Sequence, residues 1–116
     1  MITFIDTGAC GRKTLGEGLG EAAEVVNRSL CGADQIRASL RWLGAGERFE
    51  AEPLSGGHQL IYVMEGNGTV VLGGKEYEVG PGAGLYLGPG EGAAMRGPDG
   101  SGGPLKAFHL IGEPPQ

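Results

Sequence analysis

Aromatic residues are scarce in this chain: three Phe, three Tyr and one Trp among 116 residues. A core built from it must be mostly aliphatic. Cysteine is equally sparse. Cys10 and Cys31 are two in number, and in a reducing compartment such a pair reads as thiols rather than a disulfide. No run of Lys or Arg occurs, and the formal net charge is −5, which argues against a nucleic-acid-binding surface. No apolar stretch approaches the roughly 20 residues of a membrane span. The opening MITFIDTGAC has no basic region ahead of a long apolar segment, so no signal peptide is expected. These absences exclude nucleic-acid and membrane partners and place the expected location in the cytoplasm.

What the chain does have is glycine, 25 residues of it, with 7 prolines. They fall in turns between apolar runs rather than in a tract, so the composition does not signal low complexity. Leu60 to Met64 is rich in β-branched and aromatic residues and predicts a strand. Gly66-Asn67-Gly68 predicts a tight turn, and Thr69 to Leu72 the return strand. Lys75 to Val79, Leu85 to Leu87 and Leu105 to Ile111 follow, punctuated by Gly80-Pro81-Gly82 and Gly88-Pro89-Gly90. Short strands at this spacing describe an all-β sandwich or barrel. The length suits one domain, residues 1–116, with its own core.

The earlier part of the chain is less regular. Met1 to Asp6 predicts a first strand, and Thr7 to Gly20 a Gly-rich connection. That connection holds two near-misses to phosphate loops. Arg12 stands where a Walker motif needs Gly before Lys13, and Gly16, Gly18 and Gly20 miss the dinucleotide spacing. Glu21 to Leu30 mixes helix and strand preferences; a strand over Glu24 to Leu30 suits the architecture. In Ile36 to Leu43, Ile36, Ala38, Leu40 and Trp42 alternate with polar residues, which predicts one buried face and turns Trp42 inward. Phe49 to Leu54 is the next expected strand.

The spacings over Gly46 to Gly97 resemble those of the cupin superfamily. Gly46 is followed by five residues, Glu52, Pro53, Leu54, four residues, Gln59, six residues and Gly66. Gly82, Gly88-Pro89-Gly90, Ala93 and Gly97 match the second cupin motif. The resemblance implies an antiparallel jelly-roll β-barrel, with the two motifs in residues 46–97 and an N-terminal strand and connection in residues 1–20. It also places the family's four metal-ligand positions at Glu52, Leu54, Gln59 and Ala93. Leu54 and Ala93 cannot donate to a metal, and the amide of Gln59 is a weak ligand, so neither metal nor other cofactor is expected.

With Gln59 facing inward, as its family position implies, alternation turns Ile61 and Val63 inward and His58, Leu60, Tyr62 and Met64 outward. Lys106 in solvent turns Leu105, Ala107, His109 and Ile111 inward. The expected cavity is lined by Leu40, Trp42, Leu54, Ile61, Leu85, Leu87, Met95 and Ala107, beside Ala93, with Glu52, Gln59 and His109 as its polar groups. Such a lining suits a small organic ligand. Glu52 either partners His109 or Gln59 inside the barrel, or sits solvated at the rim because its strand ends early. Three functions fit. The first is a metal-free protein that binds a small molecule through Trp42, Leu54, Gln59, Ile61, Leu87, Ala93 and Met95. The second is a metal-independent isomerase, epimerase or cyclase that moves protons with Glu52 and His109. The third is a structural or regulatory subunit with a filled barrel. Finally, Leu60 to Met64 and Leu105 to Ile111 are apolar on both faces, which predicts a homodimer burying Leu60, Tyr62, Met64 and Phe108.

Overall fold

The structure, a computed structural model, describes residues 5–27, 35–98 and 103–113. Among the described residues ten antiparallel strands form two sheets. They are β1 (Lys13–Thr14), β2 (Glu21–Val26), β3 (Ile36–Leu43), β4 (Arg48–Ala51), β5 (His58–Glu65), β6 (Gly68–Leu72), β7 (Lys75–Val79), β8 (Gly84–Leu87), β9 (Ala93–Arg96) and β10 (Leu105–Gly112). The six-stranded sheet runs β1-β2-β3-β10-β5-β8 and the four-stranded sheet β4-β9-β6-β7. This is the expected jelly-roll barrel.

The turns follow from the sequence. Gly80-Pro81-Gly82-Ala83 and Gly88-Pro89-Gly90-Glu91 each close with a hydrogen bond of 3.1 Å from the fourth N–H to the first carbonyl. Proline supplies the fixed φ of the second position. Gly82 and Gly90 supply the positive φ of the third, +95° and +79°, as a type II turn requires. The first turn is tied to the barrel by Gly82 N–H, which donates to Val63 O at 2.9 Å. The second is tied by Gly90 N–H to Leu54 O at 2.9 Å.

Between the sheets lies an apolar core of Leu43, Phe49, Ala51, Ile61, Val63, Val70, Leu87, Met95, Leu105 and Ala107. Leu72, Val79, Ala83, Leu85 and Ala93 pack on it, partly buried. Aliphatic side chains dominate, as the scarcity of aromatics requires. Strand β5 alternates from His58 to Met64: Gln59, Ile61 and Val63 are buried, and His58, Leu60, Tyr62 and Met64 exposed.

Strand β3 departs from expectation. Cross-strand partners in a ladder share a face, and Leu40 pairs with Phe108 whereas Ser39 pairs with His109. The inner face of β3 is therefore Arg37, Ser39, Arg41 and Leu43. Leu40 and Trp42 lie on the outer face, where Val25, Ala38 and Leu40 form a second buried cluster with Trp42, Phe108 and Leu110 against it. Ile36, expected to be inward, is 47% exposed. Elsewhere, β2 starts earlier than expected, at Glu21, and β4 ends at Ala51, ahead of Pro53. Most of the Met1 to Asp6 strand and the Arg28 to Leu30 end of the next lie outside the described residues, as does Cys31; Ile5 and Asp6 are not in a strand. The Gly-rich connection contains a 3-10 turn, Thr7–Ala9, and β1.

Gly97 closes the packing at the barrel end. A Cβ there would lie 2.1 Å from Gly44 O and 2.9 Å from Leu43 O. Gly97→Ala must therefore push backbone apart, and the expected cost is roughly 1–3 kcal/mol, as for overpacking elsewhere. Urea unfolding measures it; an unchanged midpoint would show that the Gly44–Glu47 turn yields freely.

Candidate functional site

Residues of β1, β2 and β3, most of them on the inner face of the six-stranded sheet, line a cavity of about 650 Å³. Register builds this wall row by row. Lys13 pairs with Ala22, Ala22 with Arg41, and Arg41 with Ala107. In the next row Glu24, Ser39, His109 and Ile61 follow one another. In the third, Arg37, Ile111 and Gln59 do so. Arg37, Ser39, Arg41, His109 and Ile111 line the cavity, with Lys13, Ala22 and Glu24. Asp6, Cys10, Leu15 and Val26 complete much of the remainder.

His109 is 5% exposed and Gln59 2% exposed. Gln59 Nε2 donates to the main-chain carbonyl of Glu52 at 2.8 Å. A carbonyl can only accept, so this bond fixes the amide orientation and turns Gln59 Oε1 toward His109. His109 Nε2 lies 2.7 Å from that oxygen and must carry the proton it donates. Nδ1 is then the lone-pair nitrogen of a side chain that lines the cavity. The imidazole also packs on Phe49, with ring centroids 4.9 Å apart. Burial first, then the positive charges of Arg41 and Arg37, push its pKa down to about 4. Near neutral pH His109 is a neutral acceptor and a poor general acid.

The two arginines differ in their surroundings. Arg37 Nη2 donates to Glu113 Oε1 at 2.5 Å. Arg41 packs over the Phe49 ring, 4.2 Å from its centroid, and its Nε is buried with no hydrogen-bond partner. Burial lowers the pKa of this guanidinium. Glu24 accepts from Asn27 Nδ2 at 2.6 Å.

The residues expected to form the site are thus separated. His109 lines the cavity, and Gln59 supports it from behind. Glu52 is exposed and lines a separate, shallower hollow with Pro53, Val71 and Ala93; only its main-chain carbonyl bonds Gln59. Its strand does end early, and its carboxylate is not one of the groups around His109. Ile61, Leu87 and Met95 are packed core rather than cavity wall. Leu54 is half-buried beneath Gly57, and Trp42, on the opposite face of β3, lies under the guanidinium of Arg12 at 3.9 Å. Sequence reasoning missed Arg37, Ser39 and Arg41 because it sent the polar face of β3 to solvent. The available signal was Lys106. Placed in solvent, it puts its partner Trp42 outside as well.

The four family metal positions do not fit a metal. Leu54 and Ala93 offer no donor, and the amide of Gln59 is engaged at both ends. Among the described residues no three of His, Cys, Asp and Glu come together in a way that could hold a metal ion.

The two-sheet barrel, with turns and motif positions in this arrangement, is a cupin. The model of the AraC-like ligand binding domain matches residues 37–114, and the chain belongs to that family. Among solved structures it is similar to the polyketide cyclase RemF from Streptomyces resistomycificus, at 20% identity over 99% of this chain and 83% of that one, with a TM-score of 0.76. It is similar to KdgF from a Halomonas species, at 13% identity over 100% and 97% of the two chains, with a TM-score of 0.80. It also resembles the Cupin_2 domain of an XRE family transcriptional regulator from Enterobacter cloacae, at 18% identity over 81% and 96%, with a TM-score of 0.64. No curated protein matches the chain. Among the described residues no helix is long and apolar enough to cross a membrane.

The His109 environment sets a pH dependence. The unfolded chain takes up a proton on His109 near pH 6.5 and the folded chain only near 4. Between those values the unfolded state binds more protons, so stability falls as pH is lowered. Above the window this group contributes no slope. The loss is up to about 3 kcal/mol at the acid end. Urea unfolding across this range checks it, and in His109→Gln this component should be gone. A wild-type profile indistinguishable from that of His109→Gln would contradict the assignment.

Proposed function

We propose that this protein binds a small organic molecule, without a metal, in the cavity over Ala22, Ser39 and His109. One observation carries the reading: a cavity of about 650 Å³ has Arg41, Ser39 and His109 converging on it among a mixture of aliphatic and charged residues. That size and lining are typical of small-molecule sites. The match to a ligand-binding-domain family supports the same reading, and the free Cys10 thiol suits a cytoplasmic setting.

Catalysis by Glu52 and His109 is the second reading, favoured by the likeness to a polyketide cyclase. The geometry supports it less. The Glu52 carboxylate is outside the cavity, and a histidine with a pKa of about 4 is a weak base at neutral pH.

The test of binding is a fragment screen followed by amide chemical shifts. Hits should perturb Ala22, Ser39 and Ile111, and Ser39→Phe, which fills the cavity, should weaken them roughly ten-fold or more, since about 1.4 kcal/mol of steric conflict suffices. Hits that map instead to the outer face, unaffected by Ser39→Phe, would overturn the proposal.

The outer face of the six-stranded sheet supports a partner of another kind. Leu60, Tyr62 and Met64 are 41%, 45% and 41% exposed, and Tyr86 is 60% exposed. Phe108 pairs with Tyr62, and Leu60 with Tyr86, so the patch is continuous. A second copy would cover it in a two-fold dimer. Light scattering should give a dimer for the wild type and a monomer for Tyr62→Glu. A wild-type monomer at micromolar concentration, with the variant still folded and soluble, would refute this.

A further inference from the structure

Arg41 Nε is, among the described residues, the buried side-chain polar atom without a partner. A guanidinium stays charged throughout the physiological range, and its planar fork of donors matches a carboxylate. Arg41 is partly buried, and taking its Nε–H out of water unpaired is costly. Among the described residues no carboxylate forms an ion pair with Arg41. Glu113 is held by Arg37 and Glu24 by Asn27, and Asp6 Oδ1 accepts from Gly8 N–H at 3.0 Å.

The wall around Arg41 is shaped for something to enter. On one side its cross-strand neighbour is Ala22, and beyond Ala22 stands Lys13, so a small side chain separates two cations on one face. Two residues along β3 is Ser39, also small, and beyond it Arg37. The Phe49 ring beneath the guanidinium limits its freedom before any ligand arrives, which reduces the ordering cost of binding. Lys13, Arg37 and Arg41 face the cavity together with Asp6 and Glu24, and Glu113 offsets Arg37, so it is the unpartnered Nε rather than an excess of positive charge that singles out Arg41. Leu15, Val26 and Ile111 are among its larger apolar lining residues.

We infer that the ligand is an organic acid with an apolar body, whose carboxylate is taken up by Arg41 over the Ala22–Ser39 floor. This rests on the reading that the cavity binds a small molecule and adds the class of molecule. His109, with Nε2–H committed to Gln59, then offers Nδ1 to a hydroxyl or N–H on the ligand body rather than to the carboxylate.

The experiment uses benzoate and hexanoate, each paired with its primary amide, benzamide and hexanamide. Partners in a pair share shape and differ in charge. Affinities are measured by titration while the Arg41 Nε–H signal is followed by NMR. At least one acid should bind roughly ten-fold or more tightly than its amide, as a charge-assisted pair provides, and should move the Arg41 Nε–H resonance. In Arg41→Met that preference should vanish. The variant should melt no lower than the wild type, because it removes a buried donor that had no partner. Amides that bind in the cavity as well as the acids would overturn the carboxylate assignment and leave the small-molecule reading standing. Failure of all four probes to reach the cavity at their solubility limits would overturn both. Because the acid–amide comparison is made on the wild type, it does not depend on the variant folding.

Discussion

Strand β10 is paired on both sides, with β3 over Leu105 to Gly112 across one edge and with β5 over Lys106 to Gly112 across the other. That double register decides what the barrel contains. It sets His109 between Ser39 and Ile61 in one row, and Ile111 between Arg37 and Gln59 in the next. A slip of one residue would turn Phe108 and Leu110 into the barrel and His109 out of it, since side chains alternate faces with period two. The ladder resists the slip because both edges would have to break together. A bulge between Lys106 and Ala107 takes up the irregularity at one end.

The strands and turns were largely legible, because glycine and proline at turn positions have few other uses and β-branched runs have few other folds. Strand β7 matches its expected bounds, β8 and β10 extend theirs by one residue, and β5 by two at its start and one at its end. The inward faces of β5 and β10 were legible too, once Gln59 and Lys106 fixed the phase. What failed was the phase of β3, for a physical reason. Alternation reports that one face is drier than the other, not which side of the sheet it occupies. Here the dry face is outer, against Val25 and Phe108, while the wet face lines a cavity. In a sheet apolar on both sides no hydrophobic gradient remains to orient an alternating strand; only pairing to a strand of known phase can do so.

Gln59 shows how a ligand position can be kept for a different purpose. In the cupin pattern it falls where a metal is held. In this chain its amide spans Glu52 O and His109 Nε2, using both ends for structure. The sequence showed that a metal would lack donors there. It could not show that the vacated chemistry had become a bridge between a main-chain carbonyl and an imidazole from a strand 50 residues away. The bridge explains how a buried polar pair is tolerated: its facing donors and acceptors are matched, so desolvation is offset by hydrogen bonds. It also explains why Glu52 stood out for the wrong atom. Its carbonyl, not its carboxylate, reaches the site.

His109 and Arg41 are linked through the same volume. Burial is the larger reason His109 stays neutral, and the positive charge of Arg41 is the next. An anion beside Arg41 would offset the second cause but not the first, because a ligand that fills the cavity also keeps water out of it. The imidazole would therefore remain an acceptor with its tautomer set by Gln59, rather than become a second cation competing for the same charge. One side chain is left to recognise charge and the other to recognise a donor. That division follows from the surroundings of each. Arg41 Nε is buried without an acceptor, and His109 is buried with its one proton already given to Gln59.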